Sequence, residues 1–182
     1  MSNTISDRTK KTKPELTAAR VREVLDYSPE TGEFRWRVAR GPCVAGKVAG
    51  CKHPNGYIAL TVEFHQCQAH RLAWLYMYGE WPVNEIDHIN GVRDDNRAVN
   101  LRDVSKHVNQ QNRRKAQRQA APSPFNTGLL GTYFHRMRQC FIAQIQDPAT
   151  GKHKWLGSFA TAEEAHEAYL EAKRRIHEGC TI

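Results

Sequence analysis

The sequence has no run of about 18 apolar residues, so it predicts no transmembrane helix. Residues 1–14 are polar and basic and lack the apolar stretch of a secretory signal, so we expect a flexible basic arm there. These absences predict a soluble cytoplasmic protein that does not bind membranes.

Cysteine is present in an odd number and without regular spacing. The five cysteines include no C-x-x-C pair, which argues against a disulfide framework. Cys67 and His70 have a spacing that zinc ligands use, and Cys43 and Cys51 could join them. Buried small hydrophobic side chains explain these cysteines equally well, so zinc finds little support.

Acidic residues are outnumbered, with 19 Asp and Glu against 27 Lys and Arg, and the formal net charge is +8. Positive charge favours polyanionic partners, because neutralising phosphate groups releases condensed counterions. A solvated basic face is the ordinary alternative. The composition is otherwise that of a globular protein, with 40% hydrophobic residues.

Capping, turn and alternation patterns predict a series of short elements before residue 119. They are a helix capped by Thr17, a strand at 34–37, a hairpin turn at Asn55-Gly56 leading into a strand at 57–62, a helix at 69–78 ended by Gly79, and a polar helix from Ser105 to about residue 118. Helices and strands are therefore interspersed in this part of the chain.

The stretch AAPSP at residues 120–124 is the clearest linker, and it separates two units. Beyond it, residues 131–159 predict three short strands, and Thr161 and Glu164 form a capping box that opens a helix stopped by Gly179. We expect a separate three-stranded antiparallel sheet packed on one helix, with its other face free to meet another molecule.

Asp87 and His88 together supply the groups that phosphodiester hydrolysis requires. A neutral histidine can deprotonate water near neutral pH, and a carboxylate can hold a hard cation such as Mg²⁺. Adjacent side chains on a regular strand point to opposite faces, so joint action on one phosphate requires a strand end or a bend. An isolated Asp-His pair is more often a surface ion pair or a structural histidine with its hydrogen bonds satisfied, so the surrounding motifs decide.

Five short motifs precede, contain or follow this pair, in the order AHRLAW at residues 69–74, DHING at 87–91, DNR at 95–97, NLR at 100–102 and NQQN at 109–112. They are preceded by DYSPETGEFRW at residues 26–36. The set resembles the HNH homing endonucleases of phages and introns, over about residues 15–115. The resemblance implies an α+β fold at residues 15–119: a small ββα-metal nuclease domain with an N-terminal helix and hairpins.

The same resemblance implies roles for four residues. Asp87 would bind the metal from the first strand, and Asn109, on the following helix, would be the second protein ligand. His88 would be the general base that activates water, and Asn100 would brace the loop and orient His88. One Mg²⁺ or Mn²⁺ per site is implied. Asparagine stands at position 109 where other branches keep the final histidine of the motif.

Other polar residues near this motif keep two interpretations. His70 is as compatible with a structural histidine as with a phosphate contact. Arg113, Arg114 and Lys115 would be solvated on a helix or would contact the DNA backbone, and their position just after Asn109 favours the DNA contact.

Residues 131–177 resemble the Apetala-two/ethylene-response-factor DNA-binding domain, in the motifs GTY at 131–133, FIAQI at 141–145, DPA at 147–149 and WLGSF at 155–159. The resemblance implies a domain at residues 128–182, after a linker at 120–127, whose sheet enters the major groove of double-stranded DNA. Seven side chains are expected on the DNA-binding face: Arg136, Arg138, Gln144, Gln146, Lys152, Lys154 and Trp155. Plant members have arginines where this chain has Tyr133 or Gln146, so their target sequence does not transfer.

The sequence thus predicts a metal-dependent enzyme that cuts double-stranded DNA at selected sites. The alternative is a DNA-binding regulator that keeps the nuclease fold without activity, and the intact set of Asp87, His88, Asn100 and Asn109 favours the enzyme. One active site per chain is compatible with a monomer that nicks DNA or a homodimer that cuts both strands.

Overall fold

A computed structural model describes residues 15–39, 41–112 and 127–181. The α-helices are α1 (Ala18–Val24), α2 (Ala69–Tyr78), α3 (Lys106–Gln111) and α4 (Ala162–Ile176). The strands are β1 (Leu25–Tyr27), β2 (Phe34–Trp36), β3 (Cys51–Lys52), β4 (Ile58–Val62), β5 (His65–Gln68), β6 (Glu85–His88), β7 (Leu101–Val104), β8 (Thr132–His135), β9 (Cys140–Gln146) and β10 (His153–Phe159). Small antiparallel sheets mixed with helices confirm the α+β class. Within the described ranges, no helix is long and apolar enough to cross a membrane.

The elements before β6 build one hydrophobic core. Thr17 accepts a hydrogen bond from the Arg20 amide and so caps α1, as predicted. β1 pairs with β2, and β4 pairs with both β3 and β5. Leu25, Leu72 and Leu75 belong to the core cluster and are almost fully buried. Burial of each such side chain contributes about 1.5–3 kcal/mol, so this core gives the following residues a rigid support.

β6, β7 and α3 form a ββα unit. The two strands are antiparallel, and their register places Asp87 opposite Arg102. The Ser105 side chain caps α3, as predicted. α3 ends at Gln111 with Asn112 as its C-cap, so it is shorter than the predicted helix, whose remaining residues lie beyond the described range.

The C-terminal part contains the predicted three-stranded sheet, with β9 between β10 and β8. Thr161 and Glu164 form the predicted capping box of α4, which packs on the sheet and ends three residues before Gly179. Gly131 has φ +72°, and a Cβ atom there would lie 1.9 Å from the Tyr169 ring, so a side chain is excluded. The predicted arm at residues 1–14 and nearly all of the predicted linker at 120–127 lie outside the described residues.

Candidate active site

Asp87 and His88 lie at the end of β6, the strand end that joint action on one phosphate requires. Asp87 contacts Asn112, which follows α3, whereas the His88 ring packs on His70 of α2. Both residues are buried, with exposed fractions of 6% for Asp87 and 4% for His88. Polar groups at such depth require hydrogen-bond partners, and each of the two has them.

The His88 imidazole is held by Asn96, whose exposed fraction is 2%. Nε2 of His88 lies 3.2 Å from Oδ1 of Asn96. The side-chain Nδ2 atom of Asn96 donates to the Asp94 carbonyl oxygen at 3.4 Å, which directs Oδ1 of Asn96 towards the His88 ring. Nε2 of His88 therefore carries the proton and donates it to Asn96. The lone pair then lies on Nδ1, the atom that can accept a proton.

Two rings pack against His88 and complete its surroundings. The centroid of the Tyr57 ring is 5.8 Å from that of His88, and the His70 centroid is 5.0 Å away at an interplanar angle of 80°. Burial lowers the pKa of His88, an effect that its hydrogen bond to Asn96 partly opposes. A histidine with a lowered pKa is neutral near pH 7, as a general base must be.

His70 is the buried histidine of this ring cluster, with an exposed fraction of 4%. Its Nδ1 atom has no hydrogen-bond partner in the part of the chain that the structure describes. Burial lowers the pKa of His70 to about 3, and the neighbouring His88 adds to the shift. His70 is therefore a neutral side chain packed beside His88.

Asn100 makes two hydrogen bonds to the loop between β6 and β7. Its Oδ1 atom accepts a hydrogen bond from the Asn90 amide at 2.9 Å, and its Nδ2 atom donates to the Asp95 carbonyl oxygen at 2.7 Å. Asp95 also pairs with Arg97, which lowers the pKa of this carboxyl to about 2. The direct partner of the His88 ring is thus Asn96, and Asn100 acts one step further away, on the loop.

The segment at residues 27–32 supports the same loop from the other side. The Tyr27 hydroxyl donates to the Asn96 carbonyl oxygen at 2.7 Å, and burial raises the pKa of Tyr27 to about 12. The Ala98 amide donates to the Pro29 carbonyl oxygen at 2.9 Å. A Cβ atom on Gly32 would lie 2.5 Å from the backbone of Asn96, so only glycine permits this close contact.

Asp87 is surrounded by donors. Nε and Nη2 of Arg102 donate to Oδ2 of Asp87 at 2.9 and 2.7 Å. The Asn112 amide nitrogen lies 3.0 Å from both carboxylate oxygens and from the His88 carbonyl oxygen. Neither Arg102 nor Asn112 has a role that was predicted from the sequence, although both belong to the motifs that carry the resemblance.

Asn109, the predicted second metal ligand, lies beside Glu85. Within the described residues, no hydrogen bond joins it to Asp87. Its amide nitrogen donates to Oε2 of Glu85 at 2.7 Å. Within the described ranges its Oδ1 atom has no hydrogen-bond partner. No group of three or more His, Cys, Asp or Glu that could hold a metal occurs there. The carboxylates of Asp87 and Glu85 and the amide oxygen of Asn109 are nevertheless ligand types that a hard divalent cation accepts.

The free face of the C-terminal sheet carries part of the predicted DNA-binding set. The register pairs Trp155 with Gln144 and His153 with Gln146, so these four side chains share one face. Lys154 pairs with Ile145 and therefore starts from the opposite face, which differs from the prediction. Of the seven predicted residues, Gln144 is half-buried and the other six are exposed: Arg136, Arg138, Gln146, Lys152, Lys154 and Trp155.

Arg113, Arg114 and Lys115 lie outside the described residues, so their predicted DNA contact has no structural counterpart here. Three residues near the site or on the sheet face were not predicted from the sequence: Tyr27, Glu85 of β6 and His153. Tyr27 could have been found from the sequence, because it belongs to the motif at residues 26–36. His153 could have been found only from the strand register.

Residues 67–111 match the family model described as HNH endonuclease. The matched range begins in β5 and ends with α3, so it contains the whole ββα unit with Asp87, His88, Asn100 and Asn109. The chain therefore contains an HNH endonuclease domain, as the motifs predicted.

Two curated plant proteins are similar to short stretches of the chain. The ethylene-responsive transcription factor ERF117 of Arabidopsis thaliana is 53% identical over 38 residues, which are 21% of this chain and 12% of that protein. The dehydration-responsive element-binding protein 2E of Oryza sativa subsp. japonica is 54% identical over 37 residues, 20% of this chain and 12% of that protein. These similarities confirm an Apetala-two-like DNA-binding region. No solved structure matches the chain.

Proposed function

We propose that this protein is a metal-dependent endonuclease that hydrolyses phosphodiester bonds in double-stranded DNA at selected sites, as the homing enzymes of phages and introns do. The observation that carries the proposal is the buried His88, which Asn96 orients beside Asp87 within an HNH endonuclease domain. The proposed domain order is an arm at residues 1–14, a nuclease domain at 15–119, a linker at 120–127 and a DNA-binding domain at 128–182.

His88 is the proposed general base. Because Nε2 donates to Asn96, Nδ1 is free to take a proton from water as the water oxygen attacks the phosphorus. The P–O3′ bond breaks in line with the attack, and the leaving oxygen takes up a proton. The products are a 5′-phosphate and a 3′-hydroxyl. The lowered pKa of His88 supports this role, because it keeps the ring unprotonated near neutral pH.

Asp87 and Asn109 are the residues proposed to hold one Mg²⁺ or Mn²⁺. Carboxylate and amide oxygens suit such a cation, and the Oδ1 atom of Asn109 has no protein partner within the described ranges. When bound, the ion would stabilise negative charge on the phosphate and on the leaving oxygen. Arg102 and Asn112 would orient Asp87 through the oxygens that they contact.

The C-terminal sheet is proposed to choose the DNA target. Gln144 and Gln146 share the free face with Trp155, and glutamine can read adenine through two hydrogen bonds. Arg113, Arg114 and Lys115 are proposed to contact the DNA backbone beside the active site. A monomer of this design would nick DNA, and a homodimer would cut both strands.

A cleavage assay tests the proposal. Supercoiled DNA that carries a demonstrated binding site is incubated with Mg²⁺ and either the wild type, His88→Ala, or His53→Ala as a control histidine outside the site. We expect His88→Ala to cleave about 10²- to 10⁴-fold more slowly with unchanged DNA binding, and EDTA to stop the wild type.

Equal cleavage by the wild type and His88→Ala would remove His88 as the base. Tight binding without cleavage by any of the three proteins would favour the other candidate, a regulator that retains the nuclease fold. Cleavage that persists in EDTA would exclude the metal.

A further inference from the structure

The chain beyond α4 returns to the nuclease unit and lies against α3 and the end of β6. We call residues 179–181 the C-terminal strap. The Gly179 amide donates to Oε1 of Gln111 at 2.8 Å, and the Gly179 carbonyl oxygen accepts from Nη2 of Arg102 at 3.0 Å. The Thr181 hydroxyl is shared between the Ile89 carbonyl oxygen at 2.5 Å and Oδ1 of Asn112.

The strap fits closely at Gly179. This residue is buried, and a Cβ atom there would lie 2.1 Å from the Val108 carbonyl oxygen and 2.9 Å from Cβ of Gln111. Because the first of these neighbours is helix backbone, it cannot move aside cheaply. An alanine at position 179 would therefore push the strap away from α3 without changing any residue of the active site.

The strap forms hydrogen bonds to Arg102 and Asn112, and both of these side chains also donate to the Asp87 carboxylate. Gly179 contacts the first of them and Thr181 the second. We propose that Gly179 and Thr181 are positioning residues of the nuclease site, which hold Arg102 and Asn112 against Asp87. The inference rests on the proposed function, in which Asp87 is a metal ligand.

The expected effect follows from how outer partners act on a metal ligand. Groups that hydrogen-bond a ligand fix its orientation, and their loss commonly lowers metal affinity. Thr181 lies one step further out, because it acts through Asn112, so we expect a smaller effect than for Asn112 itself. Without the Thr181 hydroxyl, the Asn112 amide can turn, and the Asp87 carboxylate loses part of its fixed orientation.

The experiment compares the full-length wild type with Thr181→Val, Thr181→Ser and Gly179→Ala. Mn²⁺ affinity of the DNA-free protein is measured from the electron paramagnetic resonance signal of free Mn²⁺, with Asp87→Ala as the reference for loss of the site. We expect Thr181→Val and Gly179→Ala to bind Mn²⁺ about three- to tenfold more weakly, and Thr181→Ser to bind like the wild type. The cleavage defect of the two weaker variants should shrink as the Mn²⁺ concentration rises.

Unchanged or tighter Mn²⁺ binding by Thr181→Val would overturn the positioning role, and tighter binding would make the strap an inhibitor. If Asp87→Ala binds Mn²⁺ as the wild type does, the proposed metal site fails instead. The positioning role of the strap is then tested by nuclear magnetic resonance of the Asn112 side-chain amide. Its resonance should shift in Thr181→Val and Gly179→Ala but not in Thr181→Ser, and an unshifted resonance overturns the inference.

Discussion

The β6–β7 ribbon with its connecting loop and the C-terminal sheet are both small antiparallel structures, yet their polar side chains lie in opposite surroundings. His88, Asn96 and Asn100 have exposed fractions of 4%, 2% and 5%, whereas Trp155 on the sheet face is 61% exposed. Buried polar groups must find their partners inside the protein, and groups on an open face can take them from a ligand. The buried polar groups of the ribbon are therefore held by partners within the protein, whereas an exposed group such as Trp155 can still contact a ligand.

This difference predicts how mutations act in the two regions. In the ribbon, one removed side chain leaves a partner buried and unpaired, so an effect should spread to activity and stability together. On the sheet face, a removed side chain should weaken DNA binding and leave the fold intact. The two kinds of mutational effect can be distinguished by measuring stability together with cleavage or DNA binding in each variant.

Among the changes that compare these two regions, the largest effect is expected for Asn96→Ala. The buried Nε2–H of His88 then has no acceptor and the ring loses its orientation, so the cleavage rate should fall about 10- to 100-fold, which is less than the roughly 10²- to 10⁴-fold contribution of the general base itself. The free energy of unfolding should drop by about 1–3 kcal/mol. Single-turnover cleavage and thermal unfolding measure the two losses, with the exposed Asn84→Ala as control. An unchanged rate would show that Asn96 does not orient the base.

A smaller effect, confined to binding, is expected on the sheet face. Gln144→Ala and Trp155→Ala should each weaken binding to a preferred DNA site by about 1–3 kcal/mol relative to unrelated DNA. The melting temperature of Trp155→Ala should stay at the wild-type value because the ring is largely exposed. Fluorescence anisotropy gives the affinities, and Gln66→Ala on β5 is a control. Equal losses on preferred and unrelated DNA would contradict a role in target choice.

The smallest effect at neutral pH is expected for His70→Phe. The change removes the unpaired buried Nδ1 atom, so the free energy of unfolding should rise by about 1 kcal/mol at pH 7. The His70 pKa is about 3 in the folded protein, below its ordinary value of 6.5, so below pH 6.5 the unfolded chain binds a proton that the folded chain does not. Stability is therefore lost as pH falls from 6.5 towards 3, by up to about 1.4 kcal/mol per pH unit for this residue.

His70→Phe should accordingly lose less stability than the wild type between pH 6.5 and 4.5. Chemical denaturation at several pH values measures this slope, and His53→Ala serves as the histidine control. A parallel loss in the wild type and His70→Phe would mean that His70 is not held neutral in the folded state.

Local features were the part of the fold that the sequence could predict. Thr17, Gly79 and the pair of Thr161 and Glu164 end or begin helices through contacts within a few residues, so their type and spacing are sufficient. The ordered motifs around Asp87 and His88 likewise indicated an HNH endonuclease domain, through their resemblance to that family. The roles of individual site residues stay predictions.

Partnerships between distant positions were not predictable in the same way. Three sets of contacts depend on how separate elements pack. Tyr27 bonds to Asn96, Asn112 and Arg102 bond to Asp87, and Thr181 bonds to Asn112. The face that Lys154 occupies depends on a strand register, which its own sequence does not encode.

The sequence by itself determined the fold class, the helix caps, the two DNA-related regions and the residues in which chemistry is expected. Only the tertiary structure decided which side chain holds His88, which groups surround Asp87 and which residues share the free face of the sheet. The reason is physical. Caps and motifs act over one or two turns of chain, whereas a buried hydrogen bond forms between whatever groups packing brings within about 3 Å.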